Sequence, residues 1–180
     1  MRRLRRPLLP IAGAALALGL FAAPAAAAPT GDTTASFTVA AGTLDVVVPA
    51  TATIGSGGAP GTSISGSLGS VSVDDTRAAA DASWTVTVTT TAFTTGGGTA
   101  SETVAATDVD YASGPATATT GTGTFTPTGA AAPIGTGITA FSHTGGTGNN
   151  SAAWNPTLNV NVPLANVAGT YTGTVTHSVA

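Results

Sequence analysis

Ser83-Trp84-Thr85-Val86-Thr87-Val88-Thr89 alternates large apolar residues with hydroxyl residues. Successive side chains of a β-strand point to opposite faces, so Trp84, Val86 and Val88 share one face and the threonines share the other. This predicts a half-buried strand with Trp84 in the core. Leu158, Val160 and Val162 alternate with Asn159 and Asn161 in the same way. Toward the C-terminus, Tyr171, Val175 and Val179 fall on one face, and Thr170, Thr172, Thr174, Thr176 and Ser178 on the other.

Weaker strand candidates lie at 35–40, 43–48, 68–73, 104–111, 116–126 and 138–142, separated by stretches rich in Gly, Pro, Asn and Ser. About nine short strands with turn signals between them predict an all-β fold: a single antiparallel β-sandwich, Ig-like or Greek-key. One helical turn is expected over 76–82, where alanines cluster. Loops are expected at 55–66, 94–101, 129–137 and 144–152.

Residues 1–7 are strongly basic, residues 8–23 are apolar, and Pro24 to Ala28 offers small residues for cleavage. This is the layout of a secretory signal peptide, and its apolar part is shorter than the ~20 residues that span a bilayer. With Ala25 and Ala27 at the −3 and −1 positions, the signal is expected to be residues 1–27. Residues 28–180 then form the mature β-sandwich domain, secreted and either extracellular or held at the cell wall. No membrane anchor is expected after cleavage.

The basic residues are Arg2, Arg3, Arg5, Arg6 and Arg77, against eight acidic ones. Losing the first four leaves a mature net charge of −7, which argues against nucleic acid as a partner. The chain has no Cys, so disulfides, thiolate metal sites and cysteine nucleophiles are excluded. With no Lys it can form no Schiff base either.

No catalytic constellation is legible, and the protein is expected not to be an enzyme. Gly61-Thr62-Ser63-Ile64-Ser65-Gly66 misses the Gly-x-Ser-x-Gly nucleophile elbow by one residue. His177 is in phase with Val175 and Val179, which reads as a core-face or sheet-edge imidazole. His143, in a Gly-rich stretch, reads as a solvated loop residue. Asp74-Asp75 and the Asp108/Asp110 pair lack the spaced acidic loop of a calcium site, so neither metal nor cofactor is expected. Arg77 lies two residues from Asp75 and four from Asp81. It reads as a turn clamp on one of them and on backbone carbonyls, or else as a contact for a carboxylate on a wall peptide.

The stretches Val71 to Arg77, Ala82 to Val88, Val162-Pro163 and Ala168 to Val179 resemble the WxL-domain family of secreted Gram-positive surface proteins, over about residues 36–180. The first motif reads Trp84-Thr85-Val86. The second reads His177-Ser178-Val179, with His in place of Trp. The Arg-only, Ala- and Thr-rich composition is similar to that of actinobacterial proteins. The resemblance implies non-covalent association with cell-wall peptidoglycan, and Trp84, Val86, His177 and Val179 are its motif positions. Trp154 and Tyr111, placed near strand ends, are the further aromatics expected to meet sugar faces. The alternative is a structural or adhesive subunit that self-assembles, or pairs with another surface protein, and has no wall ligand of its own.

Overall fold

The computed structural model describes residues 30–180, so the expected signal segment, residues 1–27, lies outside the described residues. Residues 38–180 form one compact unit, and the described residues 30–37 belong to another. The strands in chain order are β1 (Leu44–Val47), β2 (Ser63–Ser67), β3 (Val71–Ala79), β4 (Trp84–Thr90), β5 (Phe93–Thr94), β6 (Thr103–Val104) and β7 (Val109–Ala112). They continue with β8 (Ala116–Thr120), β9 (Thr124–Pro127), β10 (Ala132–Pro133), β11 (Ile138–Thr144), β12 (Gly148–Trp154), β13 (Thr157–Asn161) and β14 (Val175–Val179). The only helical pieces among the described residues are two single 3-10 turns, Ala100–Glu102 and Ala106–Asp108.

The fold is all-β and every strand pairing is antiparallel. Three sheets have four strands each, in the orders β1-β3-β12-β8, β10-β7-β13-β2 and β14-β4-β11-β9, and β5 pairs with β6 in a small fourth sheet. Their inner faces converge on one core. Val71, Val73, Ala152 and Trp154 come from the first sheet, Val109, Tyr111, Leu158 and Val160 from the second, and Trp84, Val86, Val88, Ala140 and Phe141 from the third. Phe141 and Trp154 stack at 4.7 Å between ring centroids and join the third sheet to the first.

The alternation read around Trp84 matches β4, whose Trp84, Val86 and Val88 are buried and whose Thr85, Thr87 and Thr89 are exposed. Elsewhere the structure corrects the sequence reading. Among the described residues fourteen strands stand where about nine were expected: two expected strands are each split in two, one is absent, and β2, β5, β10 and β12 form outside the expected stretches. Gly121 and Gly123, both at positive φ, turn the chain inside 116–126 and send β8 and β9 into different sheets. A 3-10 turn interrupts 104–111. The stretch 35–40 is exposed and belongs to none of the strands. Part of the expected loop 55–66 is β2, and β10 lies within 129–137.

Two corrections matter most. The expected helical turn over 76–82 is instead, as far as Ala79, the end of a nine-residue strand, with Ala78 at φ 53° where the pairing with β12 shifts register between Asp75 and Ala79. The expected loop 144–152 runs into β12, which begins at Gly148 and is hydrogen-bonded to β3 on one side and β8 on the other. Asn and Gly signal turns because they tolerate unusual backbone angles, and that signal outweighed the alternation of Asn150, Ala152 and Trp154.

Candidate functional site

Two polar networks run through the core and account for most of the residues singled out from sequence. The first is built on Asp75 and Asn150, which are register partners on β3 and β12 and both buried. Arg77 forks onto Asp75, with Nε donating to Oδ1 and Nη2 to Oδ2, each at 2.9 Å. Arg77 Nη2 also donates to the Ser83 carbonyl at 3.0 Å. Of the two expected clamp partners, Asp75 takes the guanidinium, while Asp81 caps Ser83 through its N–H and hydroxyl. The Arg77 hydrogen bond holds the Asp75 carboxyl below the ordinary range, against the opposing effect of burial. Arg77 thus serves as the clamp, on Asp75 and on one backbone carbonyl.

Asn150 links this pair to the core. Its Nδ2 donates to Asp75 Oδ2 at 3.1 Å, and its Oδ1 accepts from Trp84 Nε1 at 2.7 Å. His143 completes the cluster. It was expected to be a solvated loop residue, but it is fully buried on β11, with its ring stacked on Phe125 at 4.4 Å. Its Nδ1 and Nε2 face the carbonyls of Ala82 and Thr122 at 2.8 and 2.9 Å. Strand pairing with β4 puts His143 beside Trp84 and fixes its inward direction.

The second network is a relay of three side chains. Trp154 Nε1 donates to Tyr111 Oη at 3.0 Å, and Tyr111 Oη lies 3.1 Å from His177 Nε2. The indole is only a donor, so the phenol accepts from it, and the phenol's other partner is His177 Nε2. The other ring nitrogen of His177, Nδ1, is buried without a partner among the described residues. Burial lowers the His177 pKa to about 4 and raises that of Tyr111 to about 12, the latter against the opposing effect of the Trp154 bond. A cavity of about 180 Å³, walled by Val48, Ile54, Val71, Phe93 and Leu158, lies beside His177.

The structure thus corrects the expectation for Trp154 and Tyr111. Both are fully buried, and neither ring is available to a sugar face. Trp154 ends β12 on its inward parity, in phase with Ala152, and Tyr111 faces inward with Val109. The residues at the two motif positions are brought together: His177 pairs with Val88, and Val179 with Val86, across β14 and β4. Trp84 and Val86 are buried, while His177 and Val179 are half-buried. Asp75 and Asn150, which sequence reasoning did not choose, are the hub. Their signal was the inward phase of Asp75 with Val71 and Val73, and of Asn150 with Trp154.

Among the described residues no three His, Asp or Glu side chains come together as a metal site. No described helix is long and apolar enough to cross a membrane.

Two surface features remain. The outer face of the β14-β4-β11-β9 sheet is a plane of hydroxyls, with Ser178, Thr87 and Thr139 in register across three strands and Thr85, Ser142 and Thr126 in register beside them. On another part of the molecule a groove of about 530 Å³ opens between 52–60 and 167–173, floored by Ile64, Phe93, Val160 and Val162.

No protein-family model matches this chain, and no curated protein and no solved structure matches it either. The likeness to WxL domains therefore stands on the motif residues alone.

Proposed function

We propose that this is an exported, non-catalytic surface protein that associates non-covalently with cell-wall peptidoglycan, its strands arranged as one Ig-like or Greek-key β-sandwich of the WxL kind. The observation that carries this reading is the hydroxyl plane on the β14-β4-β11-β9 sheet. Rows of Thr and Ser hydroxyls can both donate to and accept from glycan hydroxyls and peptide amides, and they do so without charge. The contact is thereby moved from the buried aromatics to the outer face. His143, His177, Asp75 and Arg77 all hold strands together, which favours binding over chemistry.

The test is sedimentation of the mature protein with isolated cell walls. Protein and envelope both carry negative charge, so screening removes repulsion, and pelleting should hold or strengthen as salt rises from about 0.05 to 0.5 M. Thr87→Glu with Thr139→Glu should abolish it. Release by moderate salt, or no pelleting at any salt, overturns the reading.

A second reading, that of a self-assembling surface subunit, is favoured by β2. This edge strand, Ser63-Ile64-Ser65-Gly66-Ser67, carries no charge and no Pro to block the addition of another strand.

A further inference from the structure

We infer that Phe37-Thr38-Val39 of one copy inserts into the groove beside β2 of a second copy, adding a strand and joining copies head to tail. This rests on the subunit reading and names its donor and acceptor.

The donor is an exposed apolar segment that belongs to none of the described strands. Residues 30–43 are all exposed, with Phe37 at 90% and Val39 at 72%. Ser36-Phe37-Thr38-Val39-Ala40 alternates in the same way as β4, with two large apolar side chains on one parity. Phe37 and Val39 are among the most exposed large apolar side chains described. A strand of this pattern gains stability only where one face is covered.

The acceptor is an unfinished part of the core. Val160 in the groove floor belongs to the buried cluster, and Ile54, Phe93, Val162 and Tyr171 pack against that cluster but stay half-buried. Of the residues around the groove, none carries a charge. The donor segment is uncharged too, so this patch can close on an otherwise anionic protein. β2 borders the groove through Ile64 and has β13 on one side only. A strand laid along its free edge would place alternate side chains next to Ile64, on the groove side, and Thr38 on the opposite face.

The topology favours a second copy over the chain's own arm. Gly42 and Thr43 are pinned to Thr76 by backbone and side-chain hydrogen bonds of 2.8 and 2.9 Å. They fix the start of β1, whereas the groove begins at Ala52, beyond the other end of β1. Donor and acceptor are different surfaces, so the head-to-tail contact generates a ring where its rotation closes and a filament where it does not.

The test uses the chain from Ala28 onward, sized by light scattering over a concentration series and imaged by electron microscopy, together with the variant Phe37→Asp/Val39→Asp. The expected result is concentration-dependent species larger than monomer in the unaltered protein, strengthened by salt, and their loss in the variant. A synthetic peptide of residues 33–43 should bind the variant saturably, and the same peptide with Phe37→Asp should not. Unchanged circular dichroism and melting temperature would show that the variant is folded. Assembly that persists in the variant overturns the arm-in-groove contact and leaves the subunit reading standing. A protein that stays monomeric at high micromolar concentration and ignores the peptide overturns both, and wall sedimentation is then judged separately.

Discussion

The indole Nε1 of Trp84 donates to Oδ1 of Asn150 at 2.7 Å, across 66 residues of sequence. This bond joins β4 of one sheet to β12 of another. Through the Asn150 amide it reaches Asp75 and then Arg77. A charge in part exposed to solvent is thereby tied to the most buried part of the molecule in three steps.

Asn150→Ala should destabilise the protein by about 2–3 kcal/mol, because it leaves a buried indole N–H unsatisfied and removes one donor from a buried carboxylate. Trp84→Ala should cost about 3–5 kcal/mol through the cavity it opens. Urea unfolding measures both. The unaltered protein should show blue-shifted, poorly quenched tryptophan emission, since Trp84 and Trp154 are both buried. A loss below about 0.5 kcal/mol for Asn150→Ala would place it with ordinary surface changes and remove it from the hub.

Arg77→Met removes the partner of a fully buried carboxylate. Breaking a buried pair from one side costs about 3–5 kcal/mol, and the one-third exposure of the Arg77 side chain puts this case near the lower end. Arg77→Lys should recover only part of the loss, since an ammonium cannot fork onto both carboxylate oxygens. Equal stability of the two variants would contradict the bidentate geometry.

Tyr111→Phe should act at two places at once. Without the hydroxyl, Trp154 Nε1 has no acceptor and His177 Nε2 loses its partner, so a small deletion should cost about 2 kcal/mol or more. Wall sedimentation should be unaffected if the protein remains folded, because the ring is buried. Selective loss of wall binding at unchanged melting temperature would return Tyr111 to the contact surface.

Stability should fall with acid in a window set by His177. Burial disfavours its charged form, so the folded protein takes up this proton near pH 4 and the unfolded chain near the ordinary 6.5. Between those values the unfolded state binds more protons, and stability therefore rises with pH. The contribution is complete above about 6.5 and is lost as pH falls toward 4. Asp75, held below 3.8 chiefly by Arg77, loses its contribution only at lower pH. Melting temperatures of the unaltered protein and of His177→Gln should diverge through this window. Parallel curves would show that His177 does not titrate there.

The sequence by itself determined the all-β class and the inward faces of β4, β13 and β14, because alternation has a fixed period and needs only neighbours along the chain to be read. It also carried the phase of His177 and the pairing of Arg77 with a nearby acid, which act over a few residues. Only the tertiary structure decided that Gly148 to Trp154 is an interior strand, that His143 is buried, and that Tyr111 and Trp154 face each other rather than solvent. Their environments are set by β3, β4, β8 and β13, which are distant in sequence. An asparagine with turn-forming propensity becomes a core residue once a buried indole and a carboxylate arrive to satisfy its amide, and those partners lie 66 and 75 residues away.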